Sequence, residues 1–575
     1  MTGAHAELHA SFPTLGPVAE PRTHRDLLPL VATAVLLALA CRGHFVKPHG
    51  DFYEFRETGQ ALLHGELPRT FKRAPVFPVL VAATGTLLGA ILTTEMPPDQ
   101  VAAGWINALL LPCNVLLCYL IGRRWLGGSA RWAALWLMLL PTGLYCTAHA
   151  LVEPLLVSTV LLTIWLAQRG SSWAYPAAAL ACVTRYDAAG VLAGLALADG
   201  LCRGRWGRVT ARASLTLLPL LLWLALTAVT WETRSQDHYL QQIREHACFG
   251  PGWPLAATLR CAFGPETLSL PVWGAEWEPW LRGAIWYGLA LGALLGLAGL
   301  LWRRDAGVLV AGGFLVGYVL VHAFFPFQFF RFGYPPVPLV LLAAGVGGHI
   351  FARTVSDTVR SRGVRGLLAI LAALPLLLLA GGEAARLRAL LALPHDWLDA
   401  LPFLALAGVT LVWVSSWHGR RSVAWRLLVY LAFCSLALVQ IRLALPLLGD
   451  GAERINDVRA ARWVRANTLP TEGVLSDSPG LLRLYAGDRP RERFIGLGEI
   501  RAERWPEILA ECRARGVRYM IWHDEVFREQ GAYYIRKWRL ERFAGLANPT
   551  EVPGVEVAVH YAGHPNLWIL RVLEE

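Results

Sequence analysis

Residues 101–131 read VAAGWINALLLPCNVLLCYLIGRRWLGGSAR. The run 101–121 carries no charged residue, and its length matches the roughly 20 apolar residues that a helix needs to cross a bilayer. Arginines follow at once, at Arg123, Arg124 and Arg131. Because Lys and Arg concentrate in cytoplasmic loops, this stretch predicts a transmembrane helix that ends in the cytoplasm.

The same alternation of apolar runs and short basic loops fills most of the chain. The candidate spans are 27–45, 101–121, 130–148, 152–168, 173–186, 188–201, 212–231, 283–302, 306–325, 335–352, 364–381, 399–416 and 423–447. The short pair 173–186 and 188–201 could also be one helix. We therefore predict a mainly α, polytopic bundle of about 13 transmembrane helices.

Composition agrees with a membrane protein and excludes other classes. Of the 575 residues, 17% are charged, against about 25% in soluble domains, and 55% are hydrophobic. The net charge is +11. Since the arginines cluster in short loops between apolar runs, they indicate cytoplasmic anchoring, and no nucleic-acid partner is expected.

Domain organisation follows from these runs. Residues 1–26 form a polar leader that we place in the cytoplasm, and the sequence CRGHF after the first run lacks the small residues of a signal-peptide cleavage site. Residues 27–448 form the transmembrane domain. Residues 449–575 have ordinary composition and alternate helix-like and strand-like pieces, which predicts a small α/β domain. This domain has no Gly-rich phosphate loop and no nucleophile elbow.

One apolar run, 75–92, decides the topology. If it crossed the membrane, the basic segment 122–131 would be exported; if it is re-entrant or interfacial, every basic loop lies inside. We therefore predict a re-entrant segment, outer loops 46–100 and 232–282, and an extracytoplasmic C-terminal domain. Cys248 and Cys261 share the second outer loop and could pair in an oxidising compartment.

In this topology, several ionisable side chains lie at the outer ends of helices, where charges tend to be paired or functional. They are Asp51, Glu54, Lys72, Arg73, His149, Glu153, Arg185, Asp187 and Arg331. Each has an ordinary alternative: Asp51 could cap a helix, Lys72 and Arg73 could snorkel to lipid phosphate, and Arg185 could pair only with Asp187. Their convergence on one face instead favours a site for an anionic substrate at the lipid–water boundary.

These segments resemble the GT-C membrane glycosyltransferases, in particular the bacterial protein-mannosyltransferase and aminoarabinose-transferase group. The resemblance rests on HGDFYEFRETGQALLHGELP at 49–68, RAPVFP at 73–78, EP at 153–154, TRYD at 184–187 and RFGYPPVP at 331–338, which occur in the expected order. It covers the chain to about residue 448 and implies a multi-pass protein of the bacterial inner membrane.

The resemblance implies a sugar donor linked to polyprenyl phosphate, and a lipid, glycan or protein acceptor. Asp51 would be the general base, with Glu54 beside it. The other ionisable residues of this set and one tyrosine would bind the lipid phosphate or the sugar. They are Lys72, Arg73, His149, Glu153, Arg185, Asp187, Arg331 and Tyr334. Many members carry two adjacent acidic residues here, whereas Phe52 follows Asp51 in this chain. This departure argues against a divalent metal without excluding one, and no metal ligand is assigned.

Other functions fit parts of the pattern. A secondary transporter would need charges near the membrane midplane and internal repeats, which we do not find. A non-catalytic membrane scaffold would leave the outer charges unrelated to one another. A polymerase or ligase of surface polysaccharide would share the lipid-linked donor and differ in its acceptor.

Overall fold

The helices of the membrane part follow the apolar runs of the sequence. In the computed structural model, residues 23–41, 50–68, 73–91, 96–204, 206–234, 252–263, 278–302, 305–323, 330–358, 455–486, 490–527, 535–536, 538–563 and 566–574 are described, with single residues between 405 and 444. The membrane-part helices are α1 Thr23–Cys41, α2 Gly50–Leu63, α3 Val76–Ile91, α4 Pro98–Leu126, α5 Ala130–Leu139, α6 Pro141–Ala148, α7 Glu153–Gln168, α8 Ala174–Thr184, α9 Ala189–Arg203, α10 Trp206–Arg234, α11 Gly252–Phe263, α12 Glu278–Trp302, α13 Ala306–His322 and α14 Val337–Thr358.

The predicted number of membrane crossings stays a prediction. Within the described residues, Pro98–Leu139 and Trp206–Leu226 are long and apolar enough to cross a membrane, and the bent pair α6–α7 would make a third span. The predicted spans 364–381, 399–416 and 423–447 lie, apart from single residues, outside the described part. The run 75–92 forms the single helix α3, packed between α2 and α4, and its relation to the membrane stays a prediction.

The predicted span 130–148 is broken in the structure. Leu140 is extended between α5 and α6 because Pro141 follows it, and a residue before proline disfavours the helical conformation. A second break separates α6 from α7, which lie at 115° to each other. The side chain of Asn107 on α4 fixes this bend by donating to the carbonyl oxygens of Cys146 and Leu151.

Glycines allow two pairs of helices to approach closely. A Cβ on Gly190 or Gly194 of α9 would overlap backbone atoms of α13, and one on Gly313 would overlap backbone atoms of α9. In the same way, a Cβ on Gly296 of α12 would overlap the backbone of α14. Small residues spaced four apart at helix contacts are typical of packing in membranes, where close backbone approach replaces the hydrophobic effect.

The C-terminal part forms a five-stranded sheet with helices α15 Ile455–Asn467, α16 Pro479–Tyr485 and α17 Trp505–Ala514. Its strands are β1 Gly473–Ser476, β2 Phe494–Gly496, β3 Val517–His523, β4 Val555–Tyr561 and β5 Leu567–Val572. Their order is β2-β1-β3-β5-β4, in which β2, β1 and β3 are parallel and β5 is antiparallel to both neighbours. The predicted small α/β fold is therefore confirmed. Strand β2 and helix α16 span three and seven residues, which is too short for a periodic pattern in the sequence.

Candidate active site

The site begins at the N-terminus of α2, where Gly50 precedes Asp51 in the first turn. Asp51 and Glu54 are three residues apart and share one face of the helix. Arg73 lies just before α3 and contacts both: its Nη2 lies 2.5 Å from Asp51 Oδ1, and its Nε lies 2.6 Å from Glu54 Oε2. One guanidinium therefore holds both candidate bases.

Arg331 contacts the other side of the Asp51 carboxylate. It lies in a short 3-10 helix, Phe330–Gly333, before α14, and its Nη2 lies 2.5 Å from Asp51 Oδ2. Its Nη1 lies 3.7 Å from Glu153 Oε1. Gly333 allows this turn to lie against α11, because a Cβ there would overlap the carbonyl group of Ala257. Arg331 thus links α2 to the start of α7.

Arg185 continues the chain of charges beyond Glu153. It lies in the extended break between α8 and α9 and donates from Nη1 to Glu153 Oε1 at 3.0 Å. Its Nε and Nη2 donate to Asp187 at 3.1 and 2.8 Å. Asp187 also lies 2.8 Å from Nε2 of His322, at the end of α13. Acidic and basic side chains therefore alternate from Glu54 to His322 at one end of the bundle.

The contacts keep Asp187 and Arg331 charged. Burial alone would raise the pKa of Asp187, but the charge of Arg185 and the hydrogen bond from His322 lower it to about 2. Burial would lower the pKa of Arg331, but the charges of Asp51 and Glu153 raise it above its ordinary value. Glu153 is wholly buried, and its Oε2 has no hydrogen-bond partner among the described residues. That oxygen is a buried acceptor whose hydrogen-bonding capacity is not used by the described residues.

The chain is similar to several solved structures at low sequence identity. ArnT from Cupriavidus metallidurans, bound to undecaprenyl phosphate, is 15% identical, covers 95% of this chain and 98% of its own, and has a TM-score of 0.54. Its apo state is 14% identical over the same shares, with a TM-score of 0.51. The archaeal oligosaccharyltransferase AglB from Archaeoglobus fulgidus is 13% identical, covers 94% and 74%, and has a TM-score of 0.49.

This chain has the GT-C fold. No family model matches its sequence, and no curated protein matches it. The likeness is therefore one of architecture, and the geometry of the charged site in this GT-C fold is argued from this chain's own residues.

Two predicted site residues lie in the core of the GT-C fold beside the charged chain. Tyr334 is wholly buried, with its ring packed against Gly143. His149 is buried too, and its ring centroid lies 4.0 Å from that of Tyr145. Their predicted contact with the lipid phosphate or the sugar stays a prediction. Lys72 lies outside the described residues, as does Cys248, while Cys261 is buried beside Gly333.

The donor arrangement does not fit a divalent cation. Asp51 and Glu54 converge on the guanidinium of Arg73, and Glu153 and Asp187 converge on that of Arg185, so each pair of carboxylates is already neutralised by an arginine. Among the described residues, no group of three or more acidic, His or Cys side chains has the geometry of a metal site. The positive charge in this site is supplied by arginines.

His322 was missed by the sequence analysis. It is a single histidine at the end of the apolar helix α13. An ionisable residue at the same end of the bundle as Arg185 was the available signal. Its partner Asp187 lies 135 residues away, and no sequence spacing indicates such a contact.

The C-terminal domain binds the helix that carries Asp51. Glu57 on α2 accepts hydrogen bonds from Arg483 and Arg491 at 2.8 and 2.9 Å. Tyr53 packs against Gly480, so closely that a Cβ there would overlap the ring. On α4, Gln100 accepts a hydrogen bond from Tyr485 at 3.0 Å. Helix α2 is thus held between the membrane part and the C-terminal sheet.

Proposed function

We propose that this protein is a membrane glycosyltransferase that transfers a sugar from a polyprenyl-phosphate-linked donor to a lipid, glycan or protein acceptor. The observation that carries the proposal is Asp51, held by Arg73 and Arg331 at one end of a GT-C fold. The structure of ArnT bound to undecaprenyl phosphate supports a donor of this class. Residues 27–448 would form the catalytic transmembrane domain, and 449–575 an accessory domain.

The chemistry is a single displacement. The acceptor hydroxyl oxygen forms a bond to the anomeric carbon of the sugar, while the bond from that carbon to the phosphate oxygen breaks. The hydroxyl proton passes to Asp51, and polyprenyl phosphate leaves with the bonding electrons. No covalent enzyme intermediate is needed, and the sugar configuration inverts.

The arginines would couple donor binding to base strength. A carboxylate between two guanidinium groups is a weak base, because the nearby positive charges favour its ionised form. A donor phosphate competes with Asp51 for Arg73 and Arg331, since arginine binds phosphate and carboxylate with the same two-pronged geometry. Movement of either guanidinium towards the phosphate makes Asp51 a better proton acceptor and stabilises the departing anion.

Glu153 would bind the sugar. Its Oε1 is fixed by Arg185, and its Oε2 is a buried acceptor without a partner among the described residues. Asp187 and His322 would hold Arg185 in place from the other side. This arrangement orients a sugar hydroxyl or amine near Asp51.

We place the site on the outer face of a bacterial inner membrane, with the C-terminal domain on the same side. The support is the position of the basic segments 122–131 and 202–212, which lie at the opposite helix ends. Thiol labelling of single cysteines in whole cells tests this orientation. Labelling of a cysteine at Glu556 by an impermeant reagent is expected, and labelling only after lysis would overturn it.

The activity test uses purified full-length protein and a panel of polyprenyl-phosphate hexoses and pentoses, with mass spectrometry of released polyprenyl phosphate and sugar product. We expect Asp51→Asn to abolish turnover and to retain donor binding, and Glu54→Gln to retain most turnover. The matched control is Glu556→Gln, an exposed carboxylate on β4. Full activity of Asp51→Asn would refute the base assignment. Substrate uptake into vesicles without sugar transfer would favour a transporter, and donor binding without either activity a scaffold.

A further inference from the structure

A cavity of about 480 Å³ lies at the opposite end of the bundle from the candidate active site. It lies where α4, α7 and α9 end and where α13 begins. Helix α7 runs from Glu153 in the charged site to Gln168 at this cavity, a distance of about 24 Å at 1.5 Å per residue. The cavity volume falls within the roughly 300–1,000 Å³ of small-ligand sites.

The lining of this cavity is rich in hydrogen-bond donors. Arg124, Arg169 and Arg203 line it, against one carboxylate, Asp305. Lining residue Gln168 is buried, and its Nε2 has no hydrogen-bond partner among the described residues. Three guanidinium groups and an unsatisfied amide donor select an anion.

The arginines are held in place by their own contacts. Arg124 donates from Nε to Asp305 at 2.9 Å and from Nη1 to the carbonyl oxygen of Gln168 at 2.7 Å. Arg203 is paired with Asp199 and donates to the carbonyl oxygen of Ala167. Each guanidinium has five N–H donors, so these bonds orient the groups without exhausting them.

The surroundings indicate that the anion belongs to a lipid. Trp173, Trp206 and Trp302 are exposed at the same helix ends, together with Leu201 and Leu301. Tryptophan is typical of the membrane–water interface, and apolar side chains next to it are typical of acyl-chain contact. A soluble anion site would not need this exposed apolar rim.

We propose that this cavity binds the phosphate of an anionic phospholipid headgroup, with the acyl chains against the exposed tryptophans and leucines. Basic pockets between transmembrane helices on the cytoplasmic side bind such headgroups through charge-assisted hydrogen bonds. Arg169 contributes its charge while its side chain lies over the ring of Trp165, with the guanidinium carbon 4.3 Å from the ring centroid. The site is separate from the proposed sugar transfer and does not depend on it.

The test is native mass spectrometry of the full-length protein, with phosphatidylglycerol, phosphatidylcholine or inorganic phosphate added. We expect phosphatidylglycerol to be retained at least tenfold more than phosphatidylcholine. Arg169→Gln, which removes no ion pair among the described residues, should reduce that retention about fivefold, and Arg124→Gln/Arg169→Gln should remove it. The matched control is Arg123→Gln, which makes the same charge change beside the cavity without lining it.

Apparent melting temperatures of all variants confirm that they are folded, and Arg169→Gln keeps the test valid if the double variant does not fold. The proposal is supported if the cavity variants lose phosphatidylglycerol and Arg123→Gln retains it. Equal retention of both lipids, equal loss in Arg123→Gln, or saturation of the cavity by inorganic phosphate without any lipid preference would overturn it.

Discussion

Replacement of Arg185 by Gln removes the cation that serves two buried carboxylates. The lowering of the Asp187 pKa from 3.8 to about 2, to which Arg185 contributes most and His322 also contributes, corresponds to about 2 kcal/mol of stability at neutral pH. The charged hydrogen bond to Glu153 adds about 2 kcal/mol. The sum, about 4 kcal/mol, agrees with the 3–5 kcal/mol typical of a broken buried ion pair.

These energies give a measurable shift in melting temperature. At about 2.1 cal/mol/K per residue, unfolding of a 575-residue chain has an entropy near 1.2 kcal/mol/K. A loss of about 4 kcal/mol then lowers the melting temperature by about 3 °C. Intrinsic fluorescence is a suitable probe because the chain contains 24 tryptophans. Arg185→Lys keeps the charge and should lower the melting temperature by less. The melting temperature of Arg123→Gln should be within 1 °C of wild type.

The pH dependence gives the refuting result. Because the Asp187 pKa is lowered, its stabilising contribution is full above about pH 4 and is lost as the pH falls towards 2. In Arg185→Gln, the groups that face Asp187 and Glu153 are His322 and Arg331, and burial raises the Asp187 pKa. Protonation then relieves the buried charge, so the difference from wild type should shrink between pH 8 and pH 5. A difference that is constant over this range would refute the reasoning.

Three further predictions concern coupling and packing. In a double-mutant cycle, Asp51→Asn and Arg331→Gln should show a coupling energy of about 2 kcal/mol in unfolding measurements, and additive losses would contradict the direct contact. Glu57→Gln removes two partly exposed ion pairs, each about 0.5 kcal/mol, so it should scarcely change the melting temperature but should speed hydrogen exchange in α2 about fivefold; unchanged exchange would show that the C-terminal domain does not hold this helix. Gly313→Leu should destabilise the protein by at least about 2 kcal/mol, whereas Gly312→Leu, with open space beside it, should be tolerated; equal melting temperatures would contradict the packing of α9 on α13.

The sequence predicted which charges meet but not how they pair. Positive-inside counting placed Asp51, Glu153, Arg185 and Arg331 at one end of the bundle, and the structure brings these four together. The same counting cannot show that Arg331 lies between Asp51 and Glu153. Arg331 and Asp51 are 280 positions apart in the sequence, and only the folded structure brings them into contact. Hydrophobic periodicity determines the faces and ends of helices, whereas tertiary packing determines the partners.

Local rules explain where helix prediction succeeded and where it failed. The apolar run 152–168 gave α7 nearly to the residue, since Pro154 is favourable in the first turn of a helix. The run 130–148 looked continuous because Pro141 is itself apolar. Tyr334 is buried, as are Glu153 and Arg331, and its predicted contact with the lipid phosphate or the sugar stays a prediction.

The contact between α2 and the C-terminal domain has a consequence for synthesis. Glu57 and Arg483 are 426 residues apart, so α2 leaves the ribosome long before its partner exists. At about 5–20 residues per second, the interval is roughly 20 to 90 s. During this time the half-buried ring of Tyr53 has no cover from Gly480. The helix that carries Asp51 therefore reaches its final support only after the C-terminal domain has been made, which delays a finished site until that domain has folded.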